Sequence, residues 1–339
     1  MKKTSVPTKD KQPGHSPALV GPRVLKLYRF MRFLVFDLIV LGAAVRAFNA
    51  GLACPDWPLC FGDIVPDYHP QVYFEFIHRA LAGAIGILFA GLTLYLWRQP
   101  AVNLRVKKLG LMAGILLLAQ IIMGGLTVLE LLDAGIVAGH LLLGLSFLAV
   151  ISWIQWELEG VMPSAGGQPQ SERAELVGEL PAWAMPLVYF TFGSLVGQIA
   201  LGGLVASNYA GNVCVGFPLC NGQWVPSWSG ALGLQVLHRF GAYLVLFVVM
   251  TLTYLLHARR AQIPAPMLKL SRRLALLIVA QVGVGIANVL LFVPALLTVL
   301  HSGLAAALLL TALRLILEGA SVQERGAWRV PLRASPSSL

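Results

Sequence analysis

Charge is what this sequence has least of. Asp, Glu, Lys and Arg make up 12% of its 339 residues, against 57% hydrophobic residues, and the mean hydropathy is +0.76. A water-soluble domain of this length needs a far more charged surface, so the scarcity assigns most of the chain to lipid or to other helices. Lys and Arg are missing altogether from 51–74, 130–134 and 207–233. A clean small-residue cleavage site is also missing after the first apolar stretch, which argues against a removable signal peptide.

What is present is a series of apolar runs of about 20 residues, the length that crosses a bilayer as a helix. Eight are found, near 30–49, 76–97, 108–129, 135–156, 184–206, 235–257, 271–292 and 295–317. The net charge of +10 comes from clusters in alternate loops. One holds Arg23, Lys26, Arg29 and Arg32; others hold Arg98, Arg105, Lys107 and Lys108, and then Arg259, Arg260, Lys269, Arg272 and Arg273. By the positive-inside rule these loops and both termini face the cytoplasm. The basic residues are then topological determinants, which removes the case for nucleic acid.

The second half repeats the first. At an offset of 160, LGAAVRAFNAG (41–51) reappears as LGGLVASNYAG (201–211), PLCFGDIVP (58–66) as PLCNGQWVP (218–226), and EFIHR (75–79) as QVLHR (235–239). One residue further on, Gln120 pairs with Gln281 and His140 with His301. Four spans per half give both halves the same orientation, related by an axis along the bilayer normal. The expected organisation is a cytoplasmic N-terminal arm (1–29), a four-helix half (30–156), a cytoplasmic linker (157–183), a second four-helix half (184–318) and a cytoplasmic tail (319–339). The fold class is an all-α membrane protein of eight transmembrane helices, arranged as two tandem four-helix bundles.

Of seven histidines, His15, His69 and His257 lie in loops or at a helix end and receive no role. His78, His140, His238 and His301 each fall within about two turns of the outer end of an even-numbered span. An ionisable side chain at that depth is costly, and two matched pairs point to function. Two imidazoles on facing helices suit a six-coordinate haem, whose apolar macrocycle fills the space between helices. Zinc would call for three or four ligands. Arg46, Arg79 and Arg239 stand where they could pair with propionates, although snorkelling to the interface accounts for them nearly as well.

One difference between the halves matters. Glu75 shares a helix face with His78, and its counterpart is Gln235, which carries no charge. A carboxylate beside a haem could move protons; it could equally be an N-terminal carboxylate favoured by the helix dipole. The asymmetry suggests chemistry in the first half and a supporting cofactor in the second. Cys54 with Cys60, and Cys214 with Cys220, lie in outer loops where a disulfide within each loop is permitted. Stiffening of the loop and redox activity are both open for them.

These features together resemble the haem A synthase family, over essentially residues 30–318. The resemblance rests on Glu75-Phe76-Ile77-His78-Arg79, on His140, on His238 and His301, and on the loop cysteines. It implies stepwise oxidation of a methyl group of haem O, through an alcohol and a gem-diol, to the formyl group of haem A. It also implies haem b as cofactor on His238 and His301, haem O as substrate at His78 and His140, and Glu75 as essential for turnover. Implied partners are haem O synthase, oxidase assembly factors and an electron acceptor, and the implied location is the bacterial cytoplasmic membrane or an equivalent inner membrane. A non-catalytic dihaem b-type cytochrome taking electrons from quinol explains the histidines equally well, but leaves Glu75 and the asymmetry without purpose. A haem transporter is the third reading; its ligands would be expected nearer the midplane.

Overall fold

The computed structural model describes residues 21–161, 180–224 and 226–327. These form eight α-helices: α1 (Pro22–Ala47), α2 (Pro70–Arg98), α3 (Leu104–Leu129), α4 (Ala134–Val161), α5 (Ala184–Ser207), α6 (Gly230–Ala258), α7 (Ala265–Leu290) and α8 (Ala295–Ala327), with a short 3-10 turn at Ala210–Asn212. No strand occurs among the described residues; the only extended pairings there are isolated bridges, Cys60 to Asp63 and Cys220 to Gln223. Seven helices, α2 to α8, are long and apolar enough to cross a membrane. Helix α1 carries Arg23, Lys26, Arg29, Arg32, Asp37 and Arg46 along its 26 residues, which sets it apart from the others.

Several helices outrun the apolar stretches that announced them. α1 starts at Pro22 rather than 30, α4 continues to Val161 past 156, and α8 continues to Ala327 past 318. Hydropathy reads only the lipid-facing length, whereas the helical ladder persists while its side chains find partners. Here they do: Arg29 pairs with Glu159 at 2.8 Å, Arg105 with Glu157 at 3.5 Å, and Arg314 with Glu318 at 2.6 Å. The expected arm, linker and tail fall largely on 1–20, 162–179 and 328–339, outside the described residues.

The starts and stops follow local chemistry. Pro22 and Pro70 occupy the first turns of α1 and α2, where a missing N–H costs nothing. Asn103 caps α3 by accepting from the Arg105 amide at 2.9 Å, and Asp133 caps α4 by accepting from Gly135 and Ile136 at 2.9 and 3.1 Å. The α3–α4 and α7–α8 turns are alike. Each holds two consecutive left-handed residues, Leu131 and Leu132 (φ 50° and 63°) and Phe292 and Val293 (φ 58° and 59°). Each is closed by a backbone bond back into the helix, from Leu132 to Thr127 at 2.8 Å and from Val293 to Asn288 at 2.7 Å. Left-handed conformation costs a branched or bulky residue roughly 1–2 kcal/mol, so these turns are held by the helices they join.

Helix α1 packs against α2, α4 and α8; α3 packs against α2 and α4; α5 packs against α4, α6 and α8; α7 lies against α6 and α8. One core gathers Tyr28, Met31, Ile85, Leu148, Ile151 and Ile154 and extends to Ala306 and Leu309 of α8. Others form around Leu252, Leu256 and Met267 and around Val249, Leu274 and Leu308. In lipid such contacts gain through close packing rather than through escape from water.

Candidate functional site

The four singled-out histidines each face a glycine on the adjacent helix. A Cβ added at Gly42 would lie 3.1 Å from Cε1 of His78, at Gly124 3.0 Å from that of His140, at Gly202 2.9 Å from that of His238, and at Gly285 3.2 Å from that of His301. Residues 42 and 202 stand 160 apart, and 124 and 285 stand 161 apart, the same offsets as the histidines. Only glycine lets these helix backbones come so close to an imidazole. Sequence reasoning missed the four glycines, although their place in the repeat was a signal for them.

The structure brings the second pair to one space. His238 and His301 line one cavity of about 260 Å³ together with Gln198, Gly202, Arg239 and Gln281. The Nδ1 atoms of His78, His140 and His301 are buried without a hydrogen-bond partner. Gln120 lies 3.3 Å from Nε2 of His140. His238 differs, because the Gln198 amide lies 3.0 Å from its Nδ1. His257 instead bonds to the Thr253 carbonyl of its own helix.

Above the first pair, Glu75 is a junction. Its buried carboxylate accepts from the Cys54 amide at 2.9 Å and pairs with Arg79 at 2.5 Å. Arg79 in turn donates to the carbonyl oxygens of Asp56 and Leu59 at 2.7 Å and of Cys54 at 3.3 Å. The Cys54–Cys60 disulfide, with Cα atoms 4.8 Å apart, is thereby tied to the helix bearing His78. Within the loop, Asp56 accepts from the Phe61 and Gly62 amides at 2.6 and 2.8 Å. Those two bonds, the Gly62 one foremost, hold its carboxyl below the ordinary aspartate value, with help from Arg79.

The second half keeps the frame and loses the charge pair. Arg239 donates to the carbonyl oxygens of Leu219 and Cys214 at 3.2 and 2.6 Å, holding the loop of the Cys214–Cys220 disulfide. Gln235 is buried and reaches only the Gly211 carbonyl, at 3.5 Å, and its own oxygen has no partner. Among the described residues no carboxylate meets Arg239, whose Nε is buried and unpartnered and whose side chain borders the cavity. Arg46 is placed differently from both. It donates to the Ala206 carbonyl at 2.5 Å and stacks on the Tyr209 ring at 3.8 Å, bridging the end of α1 to the end of α5.

An apolar cavity beside His238 and His301, with glycine backbones opposite both rings, leaves room there for a flat ligand. Among the described residues no three His, Cys, Asp or Glu side chains gather into a metal cage.

The profile of the COX15-CtaA family, described as cytochrome oxidase assembly protein, matches residues 27–72 and 67–313. This chain belongs to that family. Similar proteins include a haem A synthase of Shewanella oneidensis, 30% identical with 82% of this chain and 92% of the relative covered. Another is from Shouchella clausii, 29% identical over 76% of this chain and 84% of the relative. A third is from Sinorhizobium fredii, 26% identical over 79% and 82%.

Proposed function

We propose that this chain is a haem A synthase, an oxidoreductase that converts the methyl group of haem O to the formyl group of haem A. Family membership supports the activity. The observation that carries its location is the contrast between the Glu75–Arg79 pair above His78 and the uncharged Gln235 above His238. On this reading the chain crosses the bacterial cytoplasmic membrane eight times, α1 included, with both termini inside. It forms two tandem four-helix bundles of one orientation. The basic clusters and the duplicated left-handed turns support that arrangement.

The substrate haem O would sit between His78 and His140, and a haem b cofactor between His238 and His301. Bound there, the haem b would supply one-electron redox capacity. The protein's own contributions are distinct. Gly42, Gly124, Gly202 and Gly285 let the histidine-bearing helices close on flat rings. Arg239, with no carboxylate of its own, offers a cation to an acidic substituent of the cofactor. Arg79 is already neutralised by Glu75 and instead fastens the Cys54–Cys60 loop over the first site, which keeps bulk water away from it. Glu75 precedes His78 by one helical turn on the same helix and is assigned to accept or release a proton there. The two disulfides are assigned as loop fasteners. Haem O synthase and oxidase assembly factors are the expected neighbours.

The test is haem extraction and chromatography after expression in a host that supplies haem O, with wild type beside Glu75→Ala and His238→Ala. Haem A or its hydroxylated precursor in wild type, and neither in Glu75→Ala, is the expected result. Haem b alone in every sample, with haem O supply verified, would replace this reading with that of an electron-transfer cytochrome.

A further inference from the structure

Beside the cavity of His238 and His301 lies a second recess, of about 340 Å³. Its walls are mainly aromatic, from Phe217, Trp224, Phe240 and Tyr243, with Arg239 at the edge. Phe217, Arg239 and Tyr243 also line the first cavity, so the two spaces share a wall. The rings touch in series. Trp228 stacks on Phe240 at 5.7 Å, Phe240 meets Tyr243 edge-on at 6.3 Å, and Phe217 lies 6.5 Å from Tyr243. Trp224, Phe240 and Tyr243 are all exposed. The recess therefore opens outward, on the proposed topology where the outer leaflet meets water.

Tryptophan and tyrosine gather at the membrane–water boundary of spanning proteins in general, and a belt of that kind would be shared by both halves. These positions are not shared. At the offset of 160, Trp224, Phe240 and Tyr243 stand opposite Ile64, Ala80 and Gly83. The counterpart of Phe217 is Trp57, whose ring lies against α3, 3.1 Å from where a Cβ on Gly125 would be. The aromatic walls thus belong to the second half. Their polar edge is small. The Tyr243 hydroxyl has no hydrogen-bond partner among the described residues, and a phenol can donate. A ligand that is flat, carried in lipid and equipped with an acceptor oxygen matches these walls.

We propose that this recess binds the ring of a membrane quinone, stacked among the aromatic side chains with a carbonyl oxygen accepting from the Tyr243 hydroxyl. The choice of a quinone rests on the reading of the chain as a haem A synthase, an oxidation that needs somewhere to send electrons. With water as the source of oxygen, each stage exchanges a C–H bond for a C–O bond and releases two electrons and two protons. One quinone takes up both pairs and leaves as the quinol. The wall shared with the His238–His301 cavity keeps that transfer short.

The experiment photolabels the full-length protein in detergent with an azido-benzoquinone and maps the label by mass spectrometry, with decyl-benzoquinone and decanol as competitors. Wild type is run beside Phe240→Ala, which installs the first-half residue, and Tyr243→Phe, which removes only the hydroxyl. Label within 217–243, displaced by decyl-benzoquinone and not by decanol, is the expected result. Affinity should fall about tenfold in Phe240→Ala and about fivefold in Tyr243→Phe. Label elsewhere, equal affinity in wild type and Tyr243→Phe, or equal displacement by decanol, which would mark a site for acyl chains, would each overturn the proposal. Haem A formation by the wild type is followed in parallel. Product without label in the recess overturns this inference alone, whereas label in the recess without product overturns the synthase reading and leaves the quinone site standing.

Discussion

At the scale of single residues, Glu75 is the point where local chemistry and loop structure meet. Its carboxylate serves Arg79 and the Cys54 amide at once. Glu75→Gln keeps the shape and removes the charge, leaving Arg79 in a half-buried position without its counter-ion. Breaking a buried pair in this way costs roughly 3–5 kcal/mol; the partial exposure of Arg79 places the expected loss at the lower end. Thermal unfolding in detergent should show it, and product formation should fall with it. A wild-type melting temperature would leave the pair without a structural role. Asp56 gives a pH prediction for the same loop. Its folded carboxyl titrates below the ordinary value because the Gly62 and Phe61 amides donate to it. The stability it contributes is therefore complete above the ordinary aspartate range and is lost as pH falls through the lower folded value. Amide exchange at Phe61 and Gly62 should rise in that acid window in wild type, and Asp56→Asn should remove the pH dependence.

At the scale of elements, the close approaches of helix to histidine are the sensitive features. Gly202→Ala sets a methyl 2.9 Å from His238 Cε1, closer than ordinary contact. Overpacking of this kind costs about 1–3 kcal/mol. We expect haem content per chain to drop with Gly202→Ala, whereas Gly193→Ala on the same helix, with open space around it, should keep it. Equal haem content in the two would mean the close approach is not required. The outer loops are fastened twice over, by a disulfide and by an arginine. Closing a loop this short by a disulfide is worth about 2 kcal/mol. Cys214→Ser should lower stability by about that amount while haem A formation continues, because Arg239 still holds the Leu219 and Cys214 carbonyls. Abolished product formation with the fold intact would point to redox work for that pair. The two cysteine pairs, which the structure joins as disulfides, were legible in the sequence because they repeat at a fixed offset. The glycines were not singled out, because a glycine in an apolar helix looks the same whether it faces lipid or a ring.

At the scale of the whole molecule, the halves meet along α1, α4, α5 and α8. Arg46 spans that boundary. Its guanidinium occupies the carboxyl end of α5, where backbone carbonyls lack helical partners and a cation is favoured. The position it contacts, Ala206, is its own counterpart at the offset of 160. Arg46→Ala should therefore loosen the outer end of the boundary by about 1 kcal/mol, from a charged hydrogen bond and a stacked ring in partial contact with solvent. Faster exchange of amides at the end of α5, with haem content preserved, is the expected reading. Loss of haem without a change at α5 would return Arg46 to the role of a propionate partner. At the opposite end of the bundle, Arg29 with Glu159 and Arg105 with Glu157 tie helix ends together. They hold α1, α3 and α4 beyond the reach of the apolar spans.

The sequence by itself determined the all-helical, membrane-embedded class of the protein, its family and the contrast of Glu75 with Gln235. Those properties follow from composition, from helical period and from polar residues recurring at a constant offset, all of which are local or one-dimensional. The tertiary structure decided what each polar group faces. Arg79, Arg239 and Arg46 are equivalent as letters, yet one is neutralised and holds a loop, one borders a cavity unpaired by any acid, and one bridges the halves. Gln198 is one polar residue in an apolar helix until α5 and α6 are packed and its amide meets His238. Such partnerships depend on which side chains two helices present to each other across a few ångströms, and that is set by packing.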